Sequence, residues 1–298
     1  MTKRVPRRVM TSTAAAVGAL ALSLTGTTAQ AAAGTATETA AALDYVALGD
    51  SYSAGSGVLP VDLSSPLCLR STANYPHVIA AETGARLTDV TCGAAQTSHF
   101  TQAQYPGVGP QVNALDAGTD LVTLTIGGND NSTFINAVTS CGAAGVLSGG
   151  KGSPCEDRYG SSFVDQIDTN TYPALKAALR SVRAKAPGAR VAALGYPWIM
   201  PASADPSCFV KLPVAEGDVP YLRTIQTRLN AAVERAAEET GAVFVDFSKV
   251  SEGHDACAAS GTRWIEPLLF SANLVPVHPN ALGERRMAEH VVNVLGLG

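Results

Sequence analysis

Five short apolar runs, separated by longer amphipathic stretches, form the main pattern of hydrophobic and polar positions in this chain. Several runs are rich in β-branched residues, and most are bounded by Gly, Asp or Pro, which predicts buried β-strands. The predicted strands are Tyr45–Gly49, Arg86–Val90, Leu121–Ile126, Arg190–Gly195 and Val243–Phe247.

The stretches between these runs predict helices. Gly84 is a C-terminal stop signal, Pro173 is expected to kink or split a long helix, and Asn280 can cap the last helix. Strands that alternate with helices favour a doubly wound, flavodoxin-like three-layer α/β sandwich around a five-stranded parallel sheet. The predicted helices are Tyr75–Thr83, Ser162–Lys185, Pro220–Thr240 and Ala281–Leu295, and the predicted long loops are Cys141–Gly160 and Ser203–Val219.

The first thirty-three residues have the pattern of a secretory signal peptide. Lys3, Arg4, Arg7 and Arg8 precede an apolar stretch from Ala14 to Leu24, and small residues follow. The apolar stretch is too short for a transmembrane helix, and Arg7-Arg8 leaves both the general and the twin-arginine export routes open. We therefore expect a secreted, extracellular protein without a stable membrane anchor, in which residues 34–298 form one domain.

The charge balance argues against nucleic acid as a partner. The chain has 21 basic and 25 acidic residues, and four basic residues lie in the first eight positions. Removal of residues 1–33 leaves 17 basic and 25 acidic residues, a net charge near −8. An acidic protein without a Lys/Arg cluster is a poor ligand for nucleic acid.

The chain contains six cysteines. An even number in an exported chain indicates disulfides, and six cysteines allow fifteen pairings. Neighbours in sequence order favour Cys68–Cys92, Cys141–Cys155 and Cys208–Cys257. No CxxC motif or close Cys/His cluster is present, so we predict no metal site.

Four groups of candidate catalytic or substrate-binding residues lie at the carboxyl ends of predicted strands or before the last helix. They are Gly49-Asp50-Ser51, Cys92-Gly93-Ala94, Gly127-Gly128-Asn129-Asp130 and His278. In such a sheet the carboxyl ends of the strands line the ligand crevice. Individually, Ser51 could be a helix cap and His278 a loop residue. Together they match acyl transfer, which needs a nucleophile, a base and an oxyanion hole.

These blocks resemble the SGNH hydrolases, also called GDSL esterases and lipases, over essentially the whole chain after residue 33. The Gly49–Ser53 stretch resembles their first block, Gly93 their second, Gly127–Asp130 their third and His278 their last. The six cysteines and the Gly253-His254-Asp255 segment are most similar to those of secreted actinomycete lipases. The rival α/β-hydrolases need GxSxG, and no serine here has Gly both two positions before it and two positions after it.

The resemblance implies a carboxylic ester hydrolase of the lipase or esterase type that forms an acyl-enzyme. Ser51 would be the nucleophile and His278 the base. The oxyanion would be held by the Ser51 N–H, the Gly93 N–H and the Asn129 side chain. We expect no metal, no organic cofactor, a lipid or other ester as substrate, and a monomer.

The chain departs from the family pattern at Val275, where an Asp usually lies three residues before the histidine. We expect a backbone carbonyl to orient His278 instead, with Val275 as the first candidate and Pro276 as the second. Asp255 and Glu266 are the rival orienting groups. A carbohydrate or other plant-ester esterase with the same residues, or a non-enzymatic binding module, are the alternative functions.

Overall fold

The computed structural model describes residues 42–298. The predicted signal peptide, residues 1–33, lies outside the described residues, as do the first residues of the predicted domain. Within residues 42–298, no helix is long and apolar enough to cross a membrane.

Five parallel strands form one sheet in the order β2-β1-β3-β4-β5. This is the flavodoxin-like order, and the predicted fold class is confirmed. Each predicted strand is present, and its ends differ from the prediction by at most two residues. The strands are β1 Asp44–Gly49, β2 Arg86–Asp89, β3 Leu121–Thr125, β4 Arg190–Leu194 and β5 Val243–Val245.

Alternate residues of β1 separate the two halves of the core. Tyr45 and Ala47 lie on the side of the helices Tyr75–Thr83 and Ala281–Leu295, whereas Val46 and Leu48 lie on the side of the helices Tyr172–Lys185 and Asp218–Thr240. The helices are α1 Ser51–Ala54, α2 Tyr75–Thr83, α3 Thr133–Leu147, α4 Pro154–Tyr159, α5 Ser162–Gln166, α6 Tyr172–Lys185, α7 Asp218–Thr240 and α8 Ala281–Leu295.

The prediction of one long loop from Cys141 to Gly160 is wrong. Most of it belongs to α3 and α4, and Cys141–Cys155 joins the two helices. Gly145 in α3 permits close packing, because a Cβ there would lie 2.2 Å from the Pro213 carbonyl oxygen. Gly145 therefore reflects a tight contact between a helix and a neighbouring loop.

The long helix predicted over Ser162–Lys185 is interrupted at its centre. A π-helical turn, Ile167–Thr171, separates α5 from α6, and Pro173 is the second residue of α6. The segment Ser203–Val219 is largely irregular, as predicted, although α7 begins at Asp218. The remaining disulfides are Cys68–Cys92 and Cys208–Cys257, so the three pairs are those favoured by sequence order.

The order of the sheet also locates its crevice. Chain connections run in opposite directions from β1 and β3, and ligands bind beside the carboxyl ends of strands at such a switch point. Gly49 at the end of β1 is paired with Thr125 at the end of β3. Ser51 and Asn129 therefore follow the two strands that flank the crevice.

Candidate active site

Ser51 and His278, 227 positions apart in sequence, are in hydrogen-bond contact. Ser51 is the first residue of α1, and His278 lies three residues before the start of α8. The distance from Ser51 Oγ to His278 Nε2 is 2.7 Å. This is the geometry required of a nucleophile and its base.

The turn that presents Ser51 depends on Gly49 and Asp50. Gly49 has φ +122°, and a Cβ there would lie 2.4 Å from the Thr125 carbonyl oxygen. The buried Asp50 carboxylate accepts hydrogen bonds from the Tyr52 N–H, the Thr125 hydroxyl and the Tyr196 hydroxyl. Burial raises the pKa of Asp50 to about 6, although these hydrogen bonds oppose the rise.

A backbone carbonyl orients His278, but it is that of Pro276. His278 Nδ1 lies 2.8 Å from the Pro276 oxygen, which corrects the expectation for Val275. The chain turns sharply at Val277, whose φ is +59°, and this turn folds the imidazole back over the carbonyl two residues earlier. A carbonyl can only accept, so Nδ1 carries the proton and Nε2 is free to accept from Ser51.

The surroundings of His278 favour its neutral form. Burial lowers the pKa of the imidazole below its usual range, and the hydrogen bond to Pro276 opposes the shift only in part. A neutral imidazole is the form that can accept the Ser51 proton.

Neither rival carboxylate orients the imidazole. Asp255 accepts from the Cys257 N–H at 2.9 Å. Glu266 is bound by Arg263 through two hydrogen bonds of 3.0 and 2.7 Å, and it also accepts from Asn280. Through its backbone, however, Glu266 bonds to both Val277 and His278, so it supports the loop that carries the histidine.

Among the predicted oxyanion donors, Gly93 is placed differently from the expectation. Its N–H donates to the Cys68 carbonyl at 2.7 Å, and this donor is therefore already used. The Ser51 N–H is the first of α1 and has no acceptor within that helix. Asn129 Nδ2 donates one hydrogen to the Ala95 carbonyl at 3.1 Å, which leaves its second hydrogen available.

Ala94 offers a backbone donor where Gly93 does not. Among residues 42–298, no acceptor is bonded to the Ala94 N–H. The φ of Ala94 is +60°, which is unusual for a residue with a side chain. This conformation gives the Ala94 N–H a different direction from the Gly93 N–H. The Cys92 N–H donates to the Gly49 carbonyl, and the Ala95 carbonyl accepts from the Asn129 amide. Ala94 therefore lies between the Ser51 and Asn129 blocks.

Two tyrosines that the sequence reasoning did not select connect these blocks. The Tyr52 hydroxyl donates to the Val277 carbonyl at 2.8 Å. The Tyr196 hydroxyl donates to Asp50 at 2.5 Å and accepts from the Gly128 N–H at 2.9 Å. Their only sequence signals are that Tyr52 follows Ser51 and that Tyr196 follows the end of β4.

An apolar cavity of about 300 Å³ opens beside Ser51 and His278. Asn129 also lines it, so the candidate nucleophile, the candidate base and the amide face one space. Its walls come from α3, α7 and the loop before His278, and include Phe134, Ile135, Val138, Leu229, Leu268 and Val275. Such a lining suits a hydrocarbon chain whose ester group lies at Ser51. In the described part of the chain, no cluster of three His, Cys, Asp or Glu could hold a metal ion.

Comparison with known proteins agrees with this geometry. Residues 47–286 match the GDSL-like Lipase/Acylhydrolase family. Lipase 2 of Streptomyces coelicolor is 77% identical over 297 residues, which cover 100% of both chains. A Streptomyces rimosus lipase is 33% identical over an alignment that covers 85% of this chain and 86% of the lipase.

Two solved structures share the fold. Phospholipase A1 from Streptomyces albidoflavus has a TM-score of 0.72 at 29% identity. The extracellular lipase from Streptomyces rimosus has a TM-score of 0.70 at 31% identity. Each alignment covers 85% of this chain and 99% of the other. The resemblance inferred from the motifs is therefore confirmed: this chain belongs to the GDSL-like lipase/acylhydrolase family and is a carboxylic ester hydrolase.

Proposed function

We propose that this protein is a secreted lipase or esterase that hydrolyses its substrate through an acyl-enzyme on Ser51. The observation that carries the proposal is the 2.7 Å contact between Ser51 Oγ and His278 Nε2 at an apolar cavity. The same contact without a cavity would fit a structural role equally well.

In the first half of the cycle, His278 Nε2 takes the hydroxyl proton as Ser51 Oγ attacks the ester carbonyl carbon. The carbonyl π electrons move to oxygen and form a tetrahedral oxyanion. When that oxyanion collapses, the bond to the alkoxy group breaks, and the Nε2 proton passes to the leaving alcohol. In the second half, water repeats these steps and releases the carboxylic acid.

The oxyanion is held by the Ser51 N–H, the Ala94 N–H and the free hydrogen of Asn129 Nδ2. The first and third donors are those that the family resemblance implies. Ala94 replaces Gly93 because the Gly93 N–H is bonded to Cys68. Removal of one such donor typically costs about 10²–10³ in turnover.

The Pro276 carbonyl holds His278 in the required tautomer without supplying a full negative charge. The imidazolium formed during the cycle is therefore stabilised by a dipole. Asp50 lies beneath the nucleophile turn and is bonded to Tyr52, Thr125 and Tyr196, so its role is to order the turn.

The apolar lining supports an acyl chain as the group beside Ser51, and relatives named lipase and phospholipase A1 agree with a lipid ester. Export is supported by the signal-like residues 1–33 and by three disulfides, which form and persist in oxidising compartments. N-terminal sequencing of protein from the culture medium tests export, and a chain that begins at Met1 would contradict it.

A panel of p-nitrophenyl esters from acetate to palmitate tests the activity, with Ser51→Ala as the blank. We expect hydrolysis by the wild type, a burst of one nitrophenol per chain and a preference for acyl chains longer than acetate. Hydrolysis of acetate alone would favour a carbohydrate esterase. Equal rates for wild type and Ser51→Ala would overturn the mechanism.

A further inference from the structure

Large apolar side chains are exposed close to the cavity. Phe270 is 81% exposed, Leu274 71% and Leu59 66%. None of the three lines the cavity itself. Isolated exposed apolar residues are common on protein surfaces, so their arrangement, rather than their number, needs an explanation.

These three residues, here called the apolar rim, adjoin the cavity mouth. Leu274 precedes Val275, and Phe270 follows Leu268 by two positions; both Val275 and Leu268 line the cavity. The Leu274 N–H donates to the Gly57 carbonyl at 3.3 Å, which places the loop of Leu59 against the loop of Leu274. The rim residues therefore lie on, or against, the loop that supplies part of the cavity wall.

Three segments around the mouth carry no charged side chain. Residues 51–61, 131–150 and 267–283 contain no Asp, Glu, Lys or Arg, whereas 15% of the whole chain is charged. These segments supply the nucleophile, the α3 wall and the His278 loop. A partner recognised through ion pairs would find no counter-charge on these three segments. The composition fits an uncharged apolar surface.

Phe270 combines an exposed ring with an unusual backbone conformation. Its φ is +62°, a left-handed conformation that is a rare outlier for a bulky side chain. Such conformations persist where the surrounding structure imposes them, and they cluster at functional sites. An aromatic ring that is 81% exposed contributes little to folding, which points to a role in binding.

We propose that the apolar rim docks on the surface of an uncharged lipid aggregate, an emulsified triacylglycerol droplet, and places the cavity mouth against the lipid. Phe270, Leu274 and Leu59 lose their contact with water on docking, which supplies the driving force. Acyl chains then enter the cavity without crossing bulk water. This inference rests on the proposed function, because it concerns delivery of substrate to that same site.

The double variant Phe270→Asn/Leu274→Ser tests the rim. Asn tolerates the left-handed conformation at position 270, so the loop keeps its shape. Val294→Ser is the matched control: Val294 is 41% exposed, and its neighbour Leu295 is bonded to Arg190 at the opposite end of the sheet. Each protein is assayed on emulsified trioctanoylglycerol and on p-nitrophenyl butyrate dissolved below its solubility limit.

We expect the double variant to lose about tenfold or more on the emulsion, because two large apolar contacts with the lipid are removed. Its kcat/KM on the dissolved ester should stay within about twofold of the wild type, and Val294→Ser should match the wild type on both. Equal emulsion rates for wild type and double variant would overturn the rim proposal alone. No hydrolysis of the dissolved ester by the wild type would instead overturn the proposed function.

Binding is measured separately with the inactive Ser51→Ala protein and triacylglycerol droplets. The rim predicts co-flotation that is lost when Phe270→Asn/Leu274→Ser is added, with no gain when the droplets carry anionic phosphatidylglycerol. Binding that requires the anionic lipid would contradict the proposal. Concentration-dependent dimerisation that the rim substitutions abolish would also contradict it, because the rim would then be a contact between two copies.

Discussion

The hydroxyl of Tyr52 donates a hydrogen bond to the backbone carbonyl of Val277 at 2.8 Å. The residue after the nucleophile is thus joined to the residue before the base. The Tyr52 ring also packs against the His278 imidazole, with centroids 5.2 Å apart. Val277 is β-branched and has φ +59°, a strained conformation that this hydrogen bond stabilises.

Tyr52→Phe is expected to reduce kcat about tenfold while KM changes less than twofold. The substitution keeps the ring but removes a hydrogen bond of about 1.4 kcal/mol, the equivalent of about tenfold in rate, that holds the His278 loop in position. Steady-state kinetics on a dissolved ester measures both constants.

The matched control is Val277→Gly, since glycine adopts φ near +60° without strain. The loss caused by Tyr52→Phe should be smaller in the Val277→Gly background. Equal losses in both backgrounds would show that Tyr52 does not act through Val277.

Replacement of the Ala94 residue by lactic acid, which changes one backbone N–H into an ester oxygen, should lower kcat by about 10²–10³. The same exchange at Gly93, with glycolic acid, should lower stability by about 1 kcal/mol and leave kcat within severalfold, because that N–H is bonded to Cys68. Single-turnover kinetics and thermal melting separate the two effects.

The ester at position 94 also weakens the Gly93 carbonyl, which accepts from Gln104 Nε2 at 2.7 Å. Gln104→Leu controls for that loss and should keep most activity. A larger loss of kcat at position 93 than at position 94 would return the oxyanion role to Gly93.

The pH dependence of kcat/KM should follow the His278 imidazole. Burial lowers its pKa, so the neutral base persists to lower pH than for an ordinary histidine, whose pKa is about 6.5. Activity is expected to rise with pH through an apparent pKa below that value and then to level off. An apparent pKa above it, or no change between pH 5 and 8, would argue against His278 as the base.

Asp50 should make the folded state less stable as pH rises from about 4 to about 6. Its pKa is about 6 in the folded protein and about 3.9 in an unfolded chain. Between those values the folded state binds more protons, so the free energy of unfolding falls with pH by up to about 3 kcal/mol, then stays level.

Urea denaturation of the wild type and Asp50→Asn at pH 4, 5, 6 and 7 measures this difference. The difference between the two free energies of unfolding should change from pH 4 to pH 6 and stay constant above pH 6. If the free energies of unfolding of the two proteins changed in parallel with pH, Asp50 would not titrate with a raised pKa.

The sheet was predictable because its signals are local. The β1 run is buried on both faces and ends at a glycine, and α2 and α8 carry Asn caps and C-terminal glycines. The second half of α3 was not predicted, because it belongs to a Gly/Ser-rich segment that begins at Cys141. The contact with the Pro213 carbonyl explains the glycine at position 145.

The Ser51–His278 pair was also predictable, because the blocks follow the order of the strands that bring them together. The donor at Ala94 and the carbonyl of Pro276 were not. Both depend on a single backbone turn, at Ala94 and at Val277, where a residue other than glycine has positive φ. No sequence pattern encodes such a turn when the usual glycine is absent.

We propose that Ser51 is the residue acylated, with His278 as its activating base. The most direct measurement is labelling with an alkyl fluorophosphonate, followed by intact mass and peptide mapping. We expect one label per chain on the Ser51 peptide, no label on Ser51→Ala and labelling slowed by orders of magnitude in His278→Ala. A label on another residue, or unchanged labelling of Ser51→Ala, would contradict the account.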